Sequence, residues 1–129
     1  MIVVDTSALI AILEGEPDAD RFARLIFESE YALLAAGTYV ECCIVRGGRA
    51  GWAAMSEVDG LIQRFGVTIV ELTVSNARLA GEAYLRFGKG IHPAGLNFGD
   101  CFAYACARHF NQPLMFKGAD FPQTDIVAG

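Results

Sequence analysis

Three features that this sequence lacks narrow its function. The 129-residue chain has no basic leader and no apolar run near the roughly 18 residues that cross a membrane. Positive charge is also scarce, because 10 Lys and Arg face 15 Asp and Glu, for a net charge of −5. A broad basic surface for nucleic acid is therefore excluded. We expect no membrane contact and a cytoplasmic location.

The four cysteines also lack the spacing of a metal or redox motif. Cys42, Cys43, Cys101 and Cys106 contain no C-x-x-C and have no nearby histidine pair. They are predicted to be small core residues. The sequence has no repeat, low-complexity tract or linker, and 53% of its residues are hydrophobic. Residues 1–129 are therefore predicted to form a single domain.

Short apolar strands alternate with helical patterns along the chain. Gly47-Gly48 is interpreted as a helix break, and Thr73 and Asn97 as helix caps. The predicted order is strand 2–4, helix 7–13, helix 19–29, strand 31–35, helix 38–45, helix 52–65, strand 67–72, helix 74–87, loop 88–95, helix 97–110 and strand 113–116. This alternation predicts an α/β fold with three α/β/α layers around a central, mainly parallel sheet.

Four acidic residues stand beside or inside apolar segments. Asp5 and Asp120 follow predicted strands, and the carboxyl ends of parallel strands meet at one edge of a sheet. Glu41 and Asp100 lie in helices that are apolar on nearly every side, where an unpaired carboxylate is costly. We expect all four side chains to converge on one pocket.

Simpler explanations exist for the acids that follow the strands. Asp5 can cap the next helix, and the hydroxyls of Thr6 and Ser7 can orient its carboxylate. Asp120 can be an ordinary turn residue, because Asp is common in turns. Asp125, in the same loop, is a weaker candidate and is expected to brace that loop.

Simpler explanations exist for the helical acids as well. Thr38 and Glu41 have the spacing of a capping box. Asp100 falls in the first turn after Asn97, where the helix dipole stabilises a negative charge. The neighbouring Gly99 is unfavourable in a helix, which indicates that another group approaches the backbone closely.

Converging carboxylates are typical of sites for hard cations, so Mg²⁺ is the expected cofactor and Mn²⁺ can replace it. Such a cation activates water for attack on a phosphodiester. If the substrate is RNA, metal ions or a few local arginines must attract it. Arg46 and Arg49 are candidate phosphate contacts, although solvated arginines are the default.

Four segments of the chain resemble PIN-domain nucleases, and among them the VapC-type toxins. They are residues 3–8 (VVDTSA), Glu41 on the third helix, residues 92–101 (HPAGLNFGDC) and residues 116–126 (FKGADFPQTDI). The first segment alone is weak, but four in this order, with the third extending over about a dozen residues, are highly specific. Residues 52–87 are matched only in their helix-strand-helix pattern.

The resemblance implies a catalytic, metal-binding group of Asp5, Glu41, Asp100 and Asp120, with Asp5 and Asp100 as direct ligands. It also implies endoribonuclease activity, a cognate antitoxin that inhibits it, and homodimers. Separately, the high hydrophobic content predicts an apolar surface, mainly on the helices from 19 to 65, that an antitoxin or a second copy covers.

Two other function classes stay open. A phosphoacceptor receiver domain is also α/β and acidic, but it needs paired acids after the first strand, where this chain has Asp5 followed by Thr6. A receiver also needs an acceptor aspartate at the end of a central strand, and the strand beginning at Val67 runs into Glu71. The other alternative is a non-catalytic PIN-like protein-binding module.

Overall fold

The fold is built on four short parallel strands. The computed structural model describes residues 1–129, and its strands are β1 (Ile2–Val4), β2 (Ala32–Ala35), β3 (Val67–Val70) and β4 (Leu114–Met115). They pair in the order β3-β2-β1-β4, and Val3 lies between Leu33 and Leu114. β1 is therefore an inner strand, and Asp5 follows it at the carboxyl edge of the sheet.

Helices cover both faces of this sheet. They are α1 (Thr6–Leu13), α2 (Ala19–Glu28), α3 (Ala36–Ala50), α4 (Ala53–Phe65), α5 (Val74–Phe87) and α6 (Phe98–Phe110), followed by a 3-10 helix at Phe121–Gln123. Because side chains alternate along a strand, Val3 packs with α5 and α6, whereas Ile2 and Val4 pack with α1 to α4. The predicted three-layer α/β/α fold is confirmed. None of the helices combines the length and apolarity needed to span a membrane.

Two helix starts follow the predicted capping chemistry. The Thr73 hydroxyl accepts a hydrogen bond from the Asn76 backbone N–H at 3.1 Å and caps α5. Asn97 and Asp100 form a reciprocal capping box at the start of α6, each side chain accepting from the other's backbone N–H at 2.9 Å. The start of α6, which carries Asp100 toward the sheet edge, is thus encoded locally.

The third helix differs from the prediction at both ends. α3 begins at Ala36, so Thr38 lies inside the helix with its hydroxyl buried and unpartnered, and the predicted capping box with Glu41 is wrong. The helix also continues through Gly47-Gly48 and ends before Gly51, which has a φ of +61°. Two interior glycines cost about 1 kcal/mol each, which packing can offset, whereas the left-handed backbone at Gly51 ends the helix.

The outer strands are shorter than their apolar sequences predicted. β3 ends at Val70 rather than at residue 72, because its partner β2 ends at Ala35, directly opposite. β4 contains only Leu114 and Met115, since β1 pairs with it no further than Val4. Strand length is thus set by the neighbouring strand, which local composition does not encode.

The four cysteines are free, and all but the half-buried Cys43 are buried, as predicted.

Candidate active site

Asp5 acts as a helix cap and also lines a pocket. One carboxylate oxygen, Oδ2, accepts hydrogen bonds from the Ser7 backbone N–H at 3.1 Å and from the Ser7 hydroxyl at 2.6 Å. The other oxygen, Oδ1, is buried and has no partner in the protein. Burial raises the pKa of Asp5, the bonds from Ser7 oppose that rise, and the charge of Glu41 adds to it. A buried carboxylate oxygen without a protein partner calls for another partner, such as a water molecule or an ion.

Glu41 is held at the same pocket by a hydroxyl and a glycine. The Thr6 hydroxyl donates a hydrogen bond to Glu41 Oε1, so the start of α1 is joined to α3. A Cβ atom on Gly99 would collide with the Glu41 carboxylate. The predicted close approach at Gly99 is therefore confirmed, and the approaching group is Glu41.

Asp100 enters the pocket from the first turn of α6. Its Oδ2 accepts the backbone N–H of Asn97, which is the stabilising role considered from the sequence. Burial raises the pKa of Asp100 to about 6, the bond from Asn97 opposes that rise, and the charges of Asp5, Glu41 and Asp120 add to it. Asp100 is thus a helix-capping acid that also experiences the field of the other acids.

These three acids meet in one polar cavity of about 330 Å³. The lining residues are Asp5, Thr6, Ser7, Ile10, Glu16, Glu41, Val45, Asp100 and Lys117. The predicted supporting residues Thr6 and Ser7 are among them. We call this cavity the acidic pocket.

Two lining residues of the acidic pocket, Glu16 and Lys117, were missed in the sequence. The Lys117 ammonium pairs with Glu16 at 2.7 Å and with Asp18 at 3.7 Å. The pairing with Glu16 raises the pKa of Lys117. A usable signal was present, because Lys117 follows β4 at the carboxyl edge that also holds Asp5.

The two acids of the closing segment lie elsewhere. Asp120 is exposed at the start of the 3-10 helix and does not line the acidic pocket, although its charge raises the pKa of Asp100. Asp125 accepts a hydrogen bond from the Tyr104 hydroxyl at 2.7 Å and pairs with Arg86 and Arg108. Asp125 therefore braces the C-terminal loop, as expected, away from the pocket.

The two candidate arginines form ion pairs outside the acidic pocket. Arg46 bonds Glu57 at 2.5 Å and Glu14 at 3.2 Å, and Arg49 pairs with the same Glu14. These pairs tie α3 to α1 and α4. RNA contact by either arginine stays a prediction.

The acidic pocket fits a hard divalent cation by ligand type. Its side chains offer several carboxylate oxygens and no imidazole or thiol, and Asp5 Oδ1 lacks a protein partner. However, no group of three or more His, Cys, Asp or Glu side chains stands as a ready metal-binding cluster. Glu41 is bonded to Thr6, and Asp100 to Asn97. Metal binding by Asp5, Glu41, Asp100 and Asp120 therefore stays a prediction.

A larger, apolar cavity of about 630 Å³ adjoins the acidic pocket. Its lining residues are Ala36, Gly37, Val40, Glu41, Ile44, Val45, Leu72, Asn97, Phe98, Gly99 and Phe102. A neighbouring cavity of about 420 Å³ shares Val40 and Ile44 with it and extends the apolar surface to Met55 and to Trp52, which is 94% exposed. We call the two cavities together the α3 groove. Glu41 belongs to both the α3 groove and the acidic pocket.

Comparison with known proteins identifies the family. Residues 2–127 match the PIN domain. The chain is 43% identical over 126 residues to VapC ribonuclease Mb0640 of Mycobacterium bovis, covering 98% of this chain and 96% of that protein. Two solved structures share the fold.

The first is VapC20 of Mycobacterium tuberculosis, a toxin that cleaves the sarcin-ricin loop, with a TM-score of 0.78, 20% identity and coverage of 100% of this chain and 98% of that one. The second is VapBC2 of Rickettsia felis bound to a DNA fragment from its promoter, with a TM-score of 0.75, 16% identity and the same coverage. Because the family match and the 43% identity both span nearly the whole chain, this protein belongs to the PIN-domain family and, within it, to the VapC ribonucleases.

Proposed function

We propose that this protein is a Mg²⁺-dependent endoribonuclease and the toxin of a type II toxin-antitoxin pair. The observation that carries the proposal is the meeting of Asp5, Glu41 and Asp100 in one polar pocket, with an Asp5 oxygen that is buried and unpartnered. The name of the M. bovis relative supports ribonuclease activity. Mn²⁺ is expected to replace Mg²⁺, because both ions prefer carboxylate oxygens.

The residues divide into ligands and supports. Asp5 and Asp100 would hold the cation, and Glu41 would complete the acidic group inside the pocket. Asp120, which lies outside the pocket, would contribute through its charge. When bound, the cation lowers the pKa of a water molecule and neutralises charge on the phosphate. Ser7 fixes Asp5 Oδ2 with two hydrogen bonds, and so directs the unpartnered Oδ1 away from the cap.

Thr6 and Gly99 place the second acid. The hydroxyl of Thr6 holds Glu41 from one side, and the missing side chain of Gly99 leaves space for its carboxylate on the other. Hydrolysis adds water across a phosphorus–oxygen bond, with the hydroxyl going to phosphorus and the proton to the departing ribose oxygen. The protein must therefore keep its carboxylates ionised and positioned during both events.

The partner in this proposal is a cognate antitoxin, together with a second copy of the chain. The α3 groove supports an interaction partner, because Val40 and Ile44 are 53% and 69% exposed and lie beside the exposed Trp52. Because Glu41 lies in both cavities, a protein bound in the groove would also reach the acidic pocket. We therefore expect an antitoxin bound in the groove to inhibit cleavage. A gel-filtration and light-scattering mass equal to one chain, at every concentration, would contradict the homodimer.

The test is RNA cleavage under metal control. Purified protein is incubated with end-labelled single-stranded RNA, with Mg²⁺, with Mn²⁺ or with EDTA. We expect cleavage with either metal, none with EDTA, and recovery when excess Mg²⁺ is returned. Intact RNA under all conditions, together with tight binding to the product of an adjacent gene, would instead support the non-catalytic PIN-like module.

A further inference from the structure

The acidic pocket carries an excess of negative charge, which the four predicted acids cannot offset. It is lined by the carboxylates of Asp5, Glu16, Glu41 and Asp100, and Lys117 is the only cation among its lining residues. An RNA phosphate entering this pocket is repelled by every ionised carboxylate that a metal ion does not neutralise. A positively charged side chain of the protein at this pocket would therefore reduce the repulsion of the phosphate.

Lys117 is positioned by the same hydroxyl that orients Asp5. Its backbone N–H donates a hydrogen bond to the Ser7 hydroxyl at 2.9 Å, and that hydroxyl donates to Asp5 Oδ2 at 2.6 Å. Residues 110 positions apart in the chain are thus joined at the ends of β1 and β4. The backbone of Lys117 is thus anchored to the same hydroxyl as the Asp5 carboxylate.

The ammonium group of Lys117 can move, in contrast to its backbone. The side chain is 41% exposed and pairs with Glu16 and Asp18, which are 30% and 36% exposed. Exposed ion pairs between flexible side chains are weak and exchange readily. Lys117 lines the acidic pocket, whereas Arg46 and Arg49 pair with Glu14 and Glu57 and do not line it.

We propose that Lys117 binds a phosphate of the RNA substrate at the acidic pocket, and that Glu16 is its resting partner, which the phosphate displaces. This inference rests on the proposed ribonuclease function. It names Lys117, rather than Arg46 or Arg49, as the protein cation that offsets the acids. Because Lys117 is a point charge without base contacts, its contribution is independent of RNA sequence.

The first test compares two lysine variants. Lys89, the chain's only other lysine, is exposed in the loop before α6 and lines neither the acidic pocket nor the α3 groove. One phosphate contact on a single strand contributes about 0.7 to the slope of log K against log salt concentration. This contribution corresponds to about a fivefold change in affinity at about 0.1 M salt. We expect Lys117→Met to raise KM about fivefold with kcat unchanged, and to lower that slope by about 0.7. Lys117→Arg should restore both values, and Lys89→Met should match the wild type.

The second test removes the resting partner. Glu16→Gln removes the nearer of the two carboxylates that pair with the Lys117 ammonium and leaves Asp18 at 3.7 Å, so KM should fall, and most of this fall should disappear when Lys117→Met is also present. Equal effects of Glu16→Gln in both backgrounds would mean that Glu16 acts only by its own charge, and would overturn its proposed role. Lys117→Met with the KM and salt slope of Lys89→Met would overturn the inference as a whole.

A binding measurement separates this inference from the proposed function. The Kd of a labelled single-stranded RNA is measured by fluorescence anisotropy in the Asp5→Asn background, which needs no turnover. Weaker binding and a smaller salt slope with Lys117→Met support the phosphate contact, and unchanged values refute it. Absence of cleavage by the wild-type protein in Mg²⁺ and Mn²⁺ refutes the ribonuclease function instead.

Discussion

The acidic pocket and the α3 groove share Glu41 and Val45 and are built in different ways. The pocket is the smaller cavity, and hydrogen bonds from Ser7, Thr6 and Asn97 set its carboxylates. The groove consists of two cavities, of about 630 Å³ and 420 Å³ against about 330 Å³ for the pocket, and is lined mostly by apolar side chains. The larger cavities are therefore not the one that Asp5 and Asp100 line. The groove offers surface for a partner, and the pocket offers charge for a cation.

The largest expected effect comes from removing one charge in the pocket. Asp5→Asn or Asp100→Asn should lower kcat/KM by more than about 100-fold, since even supporting partners of metal ligands are worth about 10- to 100-fold. Each variant keeps the shape of the side chain and an oxygen that can accept a capping bond. Initial rates with labelled RNA and saturating Mg²⁺ provide the measurement.

The same variants separate function from stability. Because the pKa of Asp100 is raised, its ionised form destabilises the metal-free fold at about pH 7, so Asp100→Asn should be more stable by about 1 kcal/mol after allowing for solvent exposure. Urea unfolding without metal checks this value. Activity in either variant would contradict the assignment, and an Asp100→Asn protein less stable than the wild type would contradict the unfavourable charge at Asp100.

The next effect tests the boundary between the two cavities. Gly99→Ala places a methyl group against the Glu41 carboxylate, so it should displace Glu41, destabilise the fold by about 1–3 kcal/mol and reduce cleavage. Gly81→Ala is the matched control, because Gly81 lies in α5 with nothing near its Cβ position. This variant should be more stable than the wild type by about 0.5–1 kcal/mol. Equal behaviour of the two variants would show that Gly99 is not required by Glu41.

Acidic pH should affect the two cavities differently. A carboxyl group whose pKa is raised by folding binds its proton more tightly in the folded state, so metal-free stability should increase as pH falls from about 7 through 6. The proton competes with the cation, so the Mg²⁺ concentration needed for half-maximal cleavage should rise about tenfold per pH unit below about 6. Binding of an apolar partner to the groove should change less. An Mg²⁺ requirement that stays constant down to about pH 5 would contradict the raised pKa of Asp100 in the metal-free protein.

The smallest effect on cleavage is expected in the groove. Ile44→Gln replaces a 69% exposed apolar side chain by a good helix former, so stability should change by less than about 0.5 kcal/mol. Cleavage should equal that of the wild type, whereas antitoxin binding or self-association should weaken by about 1 kcal/mol or more. Titration calorimetry with the antitoxin and light scattering of the free chain measure these effects. Unchanged association would remove Ile44 from the interface.

Local features explain what could be predicted from the sequence. Asp5 and the Asn97–Asp100 capping box depend on neighbours within a few residues, so their strand, turn and helix patterns are visible in the chain itself. Gly99 was identified as unusual because it is costly in a helix, although its contact with Glu41 joins residues far apart. The order of the strands then brought these residues together at one edge.

Longer-range contacts explain what was missed. The continuation of α3 through Gly47-Gly48 is accompanied by ion pairs of Arg46 and Arg49 with residues on other elements. Glu16 and Lys117 form an ion pair only because β1 and β4 are adjacent, and no local sequence pattern predicts that adjacency. Asp120 follows a strand as Asp5 does, but its backbone turns into a 3-10 helix and leaves it exposed.

The central claim is that Asp5 and Asp100 bind one shared divalent cation. Its most direct test is a Mn²⁺ titration followed by electron paramagnetic resonance, with wild type, Asp5→Asn, Asp100→Asn and the Lys89→Met control in the absence of RNA. We predict a saturable Mn²⁺ site in the wild type and in Lys89→Met that is lost in both aspartate variants. Equal Mn²⁺ binding in all four proteins, or none in the wild type, would contradict it.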